Sequence, residues 1–260
     1  MIRESGVNRR GLLSRIALGL GALGLGGCSK IADTGWGQSA LHSVENLTRL
    51  AQRQLLSVES LAPEFAESDL SPVFKPNGST NPDDEDYLAL AQTNFADYRL
   101  EVDGLVERPL KLSLEDIRAL PSRTQITRHD CVEGWSCIGK WKGVKLGDVL
   151  GKAGLKSSAR YIVFHCFDTL EQTLDGSGLY YESIDLGDAF HAQTILAYEL
   201  NGQTLPIANG APLRVRIERQ LGYKMAKYIR RIEAVENFGG LSRGKGGFWE
   251  DRGYEWYAGI

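Results

Sequence analysis

Several large classes are excluded by what this sequence has little of. Lysine and arginine number 30 against 33 acidic residues, a formal net charge of −3, and the basic residues nowhere gather into a block. A nucleic-acid surface therefore has no electrostatic footprint. Four cysteines in 260 residues do not make a disulfide scaffold, so each has to be judged singly. There is no Cys-x-x-Cys-His run for covalent haem attachment, and no internal repeat. Strand-like and helix-like runs do not alternate in a βαβ rhythm, which argues against a doubly wound fold. The apolar stretch from Ile16 to Gly27 is short for a comfortable bilayer span.

The N-terminal region reads as an export system. Asn8-Arg9-Arg10-Gly11-Leu12-Leu13-Ser14 is a twin-arginine pattern, and the apolar stretch after it ends in Leu25-Gly26-Gly27-Cys28, which has the form of a lipoprotein cleavage box. The expectation is a signal over residues 1–28, export by the twin-arginine route, and a lipid on Cys28 that anchors the chain on the periplasmic side of the cell envelope. The alternative is a plain cleaved signal or an uncleaved anchor, with Cys28 incidental. Residues 29–73 then form a tether and a helix, Gln38 to Leu61, whose Leu41, Val44, Leu47, Leu55 and Val58 share one apolar face.

Further along, strands predominate. Tyr98 to Val106 alternates apolar and polar residues around Asp103-Gly104, a hairpin signal. Ser113 caps a short helix, Leu114 to Leu120, with Glu115 and Asp116 in its first turn where the helix dipole favours acids. Lys145 to Ala153 is a helix closed by Gly154, and Arg160 to Phe167 is a buried strand. A short capped helix is expected from Ser183 to Ala189. Asn201-Gly202 is a two-residue turn between strands, and Leu213 to Glu218 alternates cleanly. Phe74 to Glu85 is a long loop without periodicity, and the Gly- and Trp-rich tail, 239–260, is expected to wrap the surface. The sum is an α+β domain with mixed or antiparallel sheets and short helices.

The chemistry concentrates in Arg128-His129-Asp130-Cys131-Val132-Glu133-Gly134-Trp135-Ser136-Cys137, between a strand-like run (Thr124 to Thr127) and the helix that follows Lys145. It reads as a loop on a scaffold. A Cys131 thiolate is a soft ligand suited to a transition metal. Cys137 lies six positions on, not at the two-residue spacing of a zinc pair. Cys166 sits beside His165 in the buried strand, where it lines a pocket, pairs with Cys137, or stays an unpaired core thiol. Zinc held by His129, Cys131, Cys137, His165 and Cys166 matches no familiar module and leaves the flanking Trp-Ser and Trp-Lys-Gly-Val unexplained.

Cys131-Val132-Glu133-Gly134-Trp135-Ser136, Trp141-Lys142-Gly143-Val144, and Asn209-Gly210-Ala211-Pro212-Leu213-Arg214 together resemble the sulfite-oxidase family of molybdopterin enzymes. The likeness is to its exported bacterial branch, which includes the catalytic subunit of periplasmic methionine-sulfoxide reductase. It covers roughly Phe74 to Phe238, the expected molybdopterin-binding domain over residues 74–238. The resemblance implies that Cys131 gives molybdenum its one protein thiolate, the pterin dithiolene supplying the other sulfurs. It implies that Asn209 and Arg214 hydrogen-bond the pterin and its phosphate, a match of amide to pterin edge and guanidinium to phosphate. By the same resemblance Met225, Ala226 and Lys227 contact the cofactor, and Asn77 and Asn94 compete for one further contact. Cys166 falls where the reductase branch has a threonine near the cofactor. His129 and Asp130 are candidates for moving protons. Asp130, if it faces the pocket, weakens the case for an anionic substrate such as sulfite.

The resemblance thus implies an exported oxidoreductase that transfers an oxygen atom between a small-molecule donor or acceptor and a molybdenum-molybdopterin cofactor, with sulfoxide reduction as the leading guess. Electrons would pass to or from a separate partner, a membrane haem protein or a cytochrome. The alternatives are sulfite oxidation by the same cofactor, a cofactor-free binding protein, or a zinc or thiol-redox protein using Cys137 and Cys166.

Overall fold

The computed structural model describes residues 59–176 and 178–260. The twin-arginine pattern, Cys28 and most of the helix expected from Gln38 lie outside the described residues. Among the described residues no helix is long and apolar enough to cross a membrane.

Two five-stranded sheets carry the domain. In the first, β1 (Leu100–Gly104), β2 (Leu110–Leu112), β5 (Tyr161–Thr169), β6 (Leu179–Asp185) and β10 (Ile229–Val235) lie in the order β2-β1-β10-β5-β6. It is a mixed sheet, because β1 runs parallel to β10 while the other pairings are antiparallel. In the second, β3 (Ser122–Cys131), β4 (Trp135–Lys145), β7 (Ile195–Leu200) and β8 (Gln203–Thr204) follow one another, and β9 (Arg214–Arg216) also pairs with β7. Short helices join them: α1 (Glu85–Gln92), α2 (Leu114–Arg118), α3 (Leu146–Ala153) and α4 (Leu186–Ala189). The α+β expectation holds.

Local chemistry sets most helix ends. Ser113 accepts the Asp116 amide and Asp116 reaches back to the Ser113 amide, a reciprocal capping box. Asp84 caps α1 through the Tyr87 amide. Gly154, at φ 71°, closes α3 in a conformation that L side chains resist. The cap of α4 is Asp185 rather than Ser183, whose hydroxyl instead bonds the Gly246 carbonyl. The first hairpin also differs from expectation. Its turn falls beyond Asp103-Gly104, over residues 105–109, because Gly104 is still in the strand. There the parallel neighbour passes so close that a Cβ would lie 2.4 Å from the Ala234 carbonyl oxygen.

The main core packs Leu100, Val102, Ile162, Phe164 and Ile232 of the first sheet against Val149 and Leu150 of α3. Burying each such side chain contributes roughly 1.5–3 kcal/mol. A smaller cluster under the second sheet centres on Trp141, with Phe74, Ile195 and Leu200. The tail does more than wrap the surface. Phe248, Glu250 and Asp251 are buried, and the Lys224 ammonium lies between the Glu182 and Glu250 carboxyls with all three side chains sealed from solvent.

Candidate active site

The stretch expected to be a loop is the tip of a long antiparallel hairpin. Strand β3 runs on to Cys131, pairs with β4 from Ser122–Val144 to Cys131–Trp135, and turns over Val132-Glu133-Gly134. Gly134 takes the positive φ of 85° that so tight a turn needs. Sequence reasoning stopped the strand at Thr127 because His129, Asp130 and Cys131 read as reactive rather than as strand formers. The pairing places Cys131 at the end of a rigid element, half-buried. Burial pushes its thiol up, while the Glu133 and Val132 amides and Lys75 pull it down.

Alternation along β3 then sorts its neighbours. His129 is fully buried. Its Nδ1 accepts from Arg216 at 2.9 Å and touches the Met225 sulfur at 3.3 Å. Burial first, then Arg216, Arg214 and Lys227, hold this imidazole far below its ordinary range, so it is neutral. The Nε2 has no partner and abuts Gly222. Asp130 points to the opposite face, bonded to the Arg128 guanidinium at 2.9 Å and the Ser136 hydroxyl at 2.5 Å. It lines a separate cavity with Thr127, Arg128 and Glu218. Asp130 is thus not brought to Cys131, and its expected influence on anionic substrates loses its premise.

Cys131 opens on a cavity of about 140 Å³. Exposure orders its lining: Val132 and Tyr254 are 48% and 40% exposed, whereas Tyr180, Met225, Asp168 and Lys227 are buried. At the inner end Lys227 donates to the carbonyls of Ser79 and Ala208; Arg214, fully buried behind the lining, donates to the Asn209 and Met225 carbonyls and to the amide oxygen of Asn77, which does line the cavity. Neither cation hydrogen-bonds a carboxylate. Burial and the neighbouring Arg214 push Lys227 down to about 7, and burial with Arg216 nearby brings Arg214 to about 9. Both guanidiniums of Arg214 and Arg216 lie over the Trp141 ring, at 5.0 and 4.5 Å. Arg216 is neutralised by Glu218, with Nη2 to Oε2 at 2.6 Å, but Arg214 has no such partner.

These features test whether a phosphate-bearing pterin suits the site. Two buried cations are short of negative charge, and Arg214 Nε and Asn209 Nδ2 are buried without partners. Such orphan donors are costly unless a ligand accepts from them. Asp168 adds one unpaired carboxylate oxygen, its other oxygen accepting from the Ser79 hydroxyl at 2.6 Å. A soft thiol at one end, with cations and amide donors at the other, fits a group that is metal at one end and phosphate at the other.

Of the other expected residues, Asn77 reaches the cavity and touches both Gly222 and Arg214. Asn94 does not: it is exposed, in the positive-φ turn after α1 at φ 51°. Ala226 is buried, its carbonyl accepting from Val215, so its part is in the backbone. Cys166 lies behind the cavity, hydrogen-bonded through the Lys227 backbone, and burial raises its thiol strongly. Cys131, Cys137 and Cys166 are all free thiols. Cys137 on β4 contacts the Val73 carbonyl, while Cys166 belongs to the other sheet. His165 turns to Glu233 at 2.8 Å, and among the described residues no three His, Cys, Asp or Glu side chains converge on a metal position.

Asp168, Tyr180, Trp249 and Tyr254 line the cavity without having been expected there. Asp168 stands in an irregular stretch of β5, between His165 and Thr169, where simple alternation does not assign a face. Nothing local announces Trp249 and Tyr254, which arrive from the tail.

The family described as an oxidoreductase molybdopterin binding domain matches residues 87–238. A protein of Azospira oryzae, provisionally named protein-methionine-sulfoxide reductase subunit YedZ1, is 38% identical over 252 residues, covering 96% of this chain and 87% of its own length. The protein-methionine-sulfoxide reductase catalytic subunit MsrP of Xanthomonas axonopodis pv. citri is 32% identical over 247 residues, 88% of this chain and 70% of its own. Among solved structures, the sulfane dehydrogenase SoxCD of Paracoccus pantotrophus matches with a TM-score of 0.48 at 22% identity, over 55% of this chain and 39% of that one.

Proposed function

This chain belongs to the family of oxidoreductases with a molybdopterin-binding domain, an enzyme of the sulfite-oxidase type carrying molybdenum-molybdopterin, and from that premise we propose that it reduces sulfoxides. The observation that carries the substrate reading is the polarity of the cavity. Lys227 is the one cationic side chain in its described lining and lies at the buried end, while the exposed lining includes Val132, Tyr254 and the Glu133 carboxylate, with half-buried Leu170 and Trp249 beside them. A sulfite dianion entering past that rim would shed water without gaining a guanidinium. A neutral sulfoxide with apolar substituents would not. The names of the two sulfoxide-reductase relatives point the same way.

When bound, the cofactor supplies two-electron oxygen-atom transfer. The chain's own residues bind and orient. The Cys131 sulfur would hold the molybdenum, as a thiolate. The turn amides of Val132 and Glu133 face the sulfur and favour the thiolate. Arg214, Lys227, Asn209 and Asn77 would hold the phosphate and pterin, and Met225 would offer apolar contact beside them. In the overall reaction the S–O bond breaks, sulfur gains two electrons, and two protons accompany the oxygen into water. The neutral, walled-in His129 and the outward Asp130 are poorly placed to carry those protons, so solvent at the rim delivers them. The electrons come from a separate haem protein, in the membrane or soluble. In this reading the twin-arginine segment exports the loaded, folded chain to the periplasmic side, and Cys28 anchors it there by its lipid.

The test compares wild type with Cys131→Ser, both matured with an intact cofactor pathway. Molybdenum and pterin content are measured first, then turnover of methyl aryl sulfoxides and dimethyl sulfoxide with a reduced viologen dye. About one molybdenum per chain and sulfoxide turnover in wild type, with both lost or altered in Cys131→Ser, support the proposal. Loaded enzyme that ignores every sulfoxide but oxidises sulfite overturns it.

A further inference from the structure

The tail beyond Phe238 belongs to no strand of either sheet, yet it supplies two side chains of the cavity that Cys131 opens on, Trp249 and Tyr254. Their rings pack together at 5.2 Å between centroids with planes 30° apart. Tyr254 also meets Tyr223 edge-on at 5.3 Å, and Trp249 meets Phe248 edge-on at 5.2 Å. The pair is held from beneath. Glu250, next to Trp249, and Glu182 of β6 share the buried ammonium of Lys224, which stands in the same turn as Tyr223 and two residues before Met225's neighbour Ala226. The last residues are pinned too, through Leu221 N to the Ala258 carbonyl and Ile260 N to the Arg219 carbonyl. A surface wrapping would need no buried ion triad, and breaking such a triad is strongly unfavourable. The arrangement fixes two aromatic faces at the cavity to better than side-chain freedom would allow.

We propose that Trp249 and Tyr254 are specificity-determining residues, an aromatic wall delivered by the C-terminal tail that receives the apolar substituent on the substrate sulfur. The inference rests on the sulfoxide reading and deepens it. Exposure places the wall towards the outer end: Tyr254 is 40% exposed, Trp249 is half-buried beside it, and Val132, next to Cys131, is 48% exposed, while the cation-bearing end is buried. Aromatic edges and faces attract apolar and aryl groups, and they offer nothing to a compact anion. The wall therefore favours sulfoxides with a bulky apolar arm over dimethyl sulfoxide. One lost apolar contact of this kind changes discrimination by about tenfold.

The experiment has two arms, both on molybdenum-loaded protein. In the binding arm, methyl p-tolyl sulfone and dimethyl sulfone, probes that need no turnover, are titrated by ligand-observed NMR into wild type, Trp249→Ala and Tyr254→Ala. Wild type prefers the aryl sulfone, and each variant loses about tenfold of that preference. In the turnover arm, the ratio of kcat/KM for methyl p-tolyl sulfoxide over dimethyl sulfoxide falls by a similar factor, carried by KM rather than kcat. Tyr254 is partly exposed, so its variant folds even if Trp249→Ala does not, and Trp249→Phe gives back part of the preference. An aryl preference unchanged in Tyr254→Ala overturns the inference, as does an equal loss for both sulfones. Wild type that binds the aryl sulfone selectively but reduces no sulfoxide sinks the sulfoxide reading and leaves the wall standing.

Discussion

Gly222→Ala should damage the site without touching any group that reacts. Gly222 opens the turn that leads to Met225 and Lys227, and its φ does not lie in the left-handed region, so alanine meets no backbone objection there. The objection is steric. A Cβ would sit 2.4 Å from His129 Nε2 and 2.5 Å from Cε1. Ordinary contact is about 3.4 Å or more, so imidazole and turn must part by about 1 Å. His129 cannot give way cheaply, being fully buried in β3 with Nδ1 bonded to Arg216, which is itself locked to Glu218. The turn must move instead, taking Met225 and Lys227 away from Cys131. Overpacking of this kind costs about 1–3 kcal/mol, which for a domain of this size lowers Tm by roughly 2–4 °C per kcal/mol. Thermal unfolding of wild type, Gly222→Ala, His129→Ala and the double variant gives the coupling directly. Removing the imidazole should make the alanine tolerable, so the double variant is more stable than the sum of the singles, and molybdenum content of Gly222→Ala should fall beside its Tm. Additive losses, or a Gly222→Ala protein with wild-type Tm and full molybdenum, would refute the reasoning.

Lys227 gives a pH test in cofactor-free protein. Its folded value near 7 lies below the ordinary 10.5, so between them the unfolded chain binds more protons. Its contribution is therefore present in full above about 10.5 and lost as pH falls towards 7. Urea midpoints should rise with pH across that window in wild type, and the rise attributable to this group should vanish in Lys227→Met. In the buried triad, burial and Glu250 push the Glu182 carboxyl well up, towards its protonated form. Glu182→Gln, which mimics that form, should cost under about 1 kcal/mol in chemical denaturation, while Lys224→Met, which leaves carboxyls buried without their cation, should cost about 3–5 kcal/mol. Asn94→Ala should leave molybdenum content at the wild-type level and lose about 1 kcal/mol, because alanine tolerates φ 51° less well than asparagine. A loss of molybdenum there would return Asn94 to the site.

Much of this protein was settled by short-range rules acting within a few residues. The Ser113 cap, the Gly154 stop and the turn at Asn201-Gly202, with φ of 53° and 78°, depend on local hydrogen bonding and backbone freedom, and all are legible in the sequence. The candidate ligands Cys131, Asn209, Arg214 and Lys227 were legible only through the motifs that resemble the family, because a lone thiol, amide or lysine has no fixed role. Burial and facing are different, since they depend on which distant segment packs against a residue. Asp130 looked like a partner of Cys131 by adjacency, and strand alternation turned it to the other face. His129 looked reactive until Arg216, from a strand 87 positions away in sequence, closed one nitrogen and Gly222 closed in on the other. Cys166 and Cys137 looked like a possible pair until they were assigned to different sheets. The wall of Trp249 and Tyr254 could be known only once the tail had folded back, because the Lys224 triad that seats it joins three stretches with no mutual signal along the chain. Motif named the candidate ligands of the cofactor. Tertiary packing decided which of them face it, because desolvation and direction are properties of neighbours, not of residues.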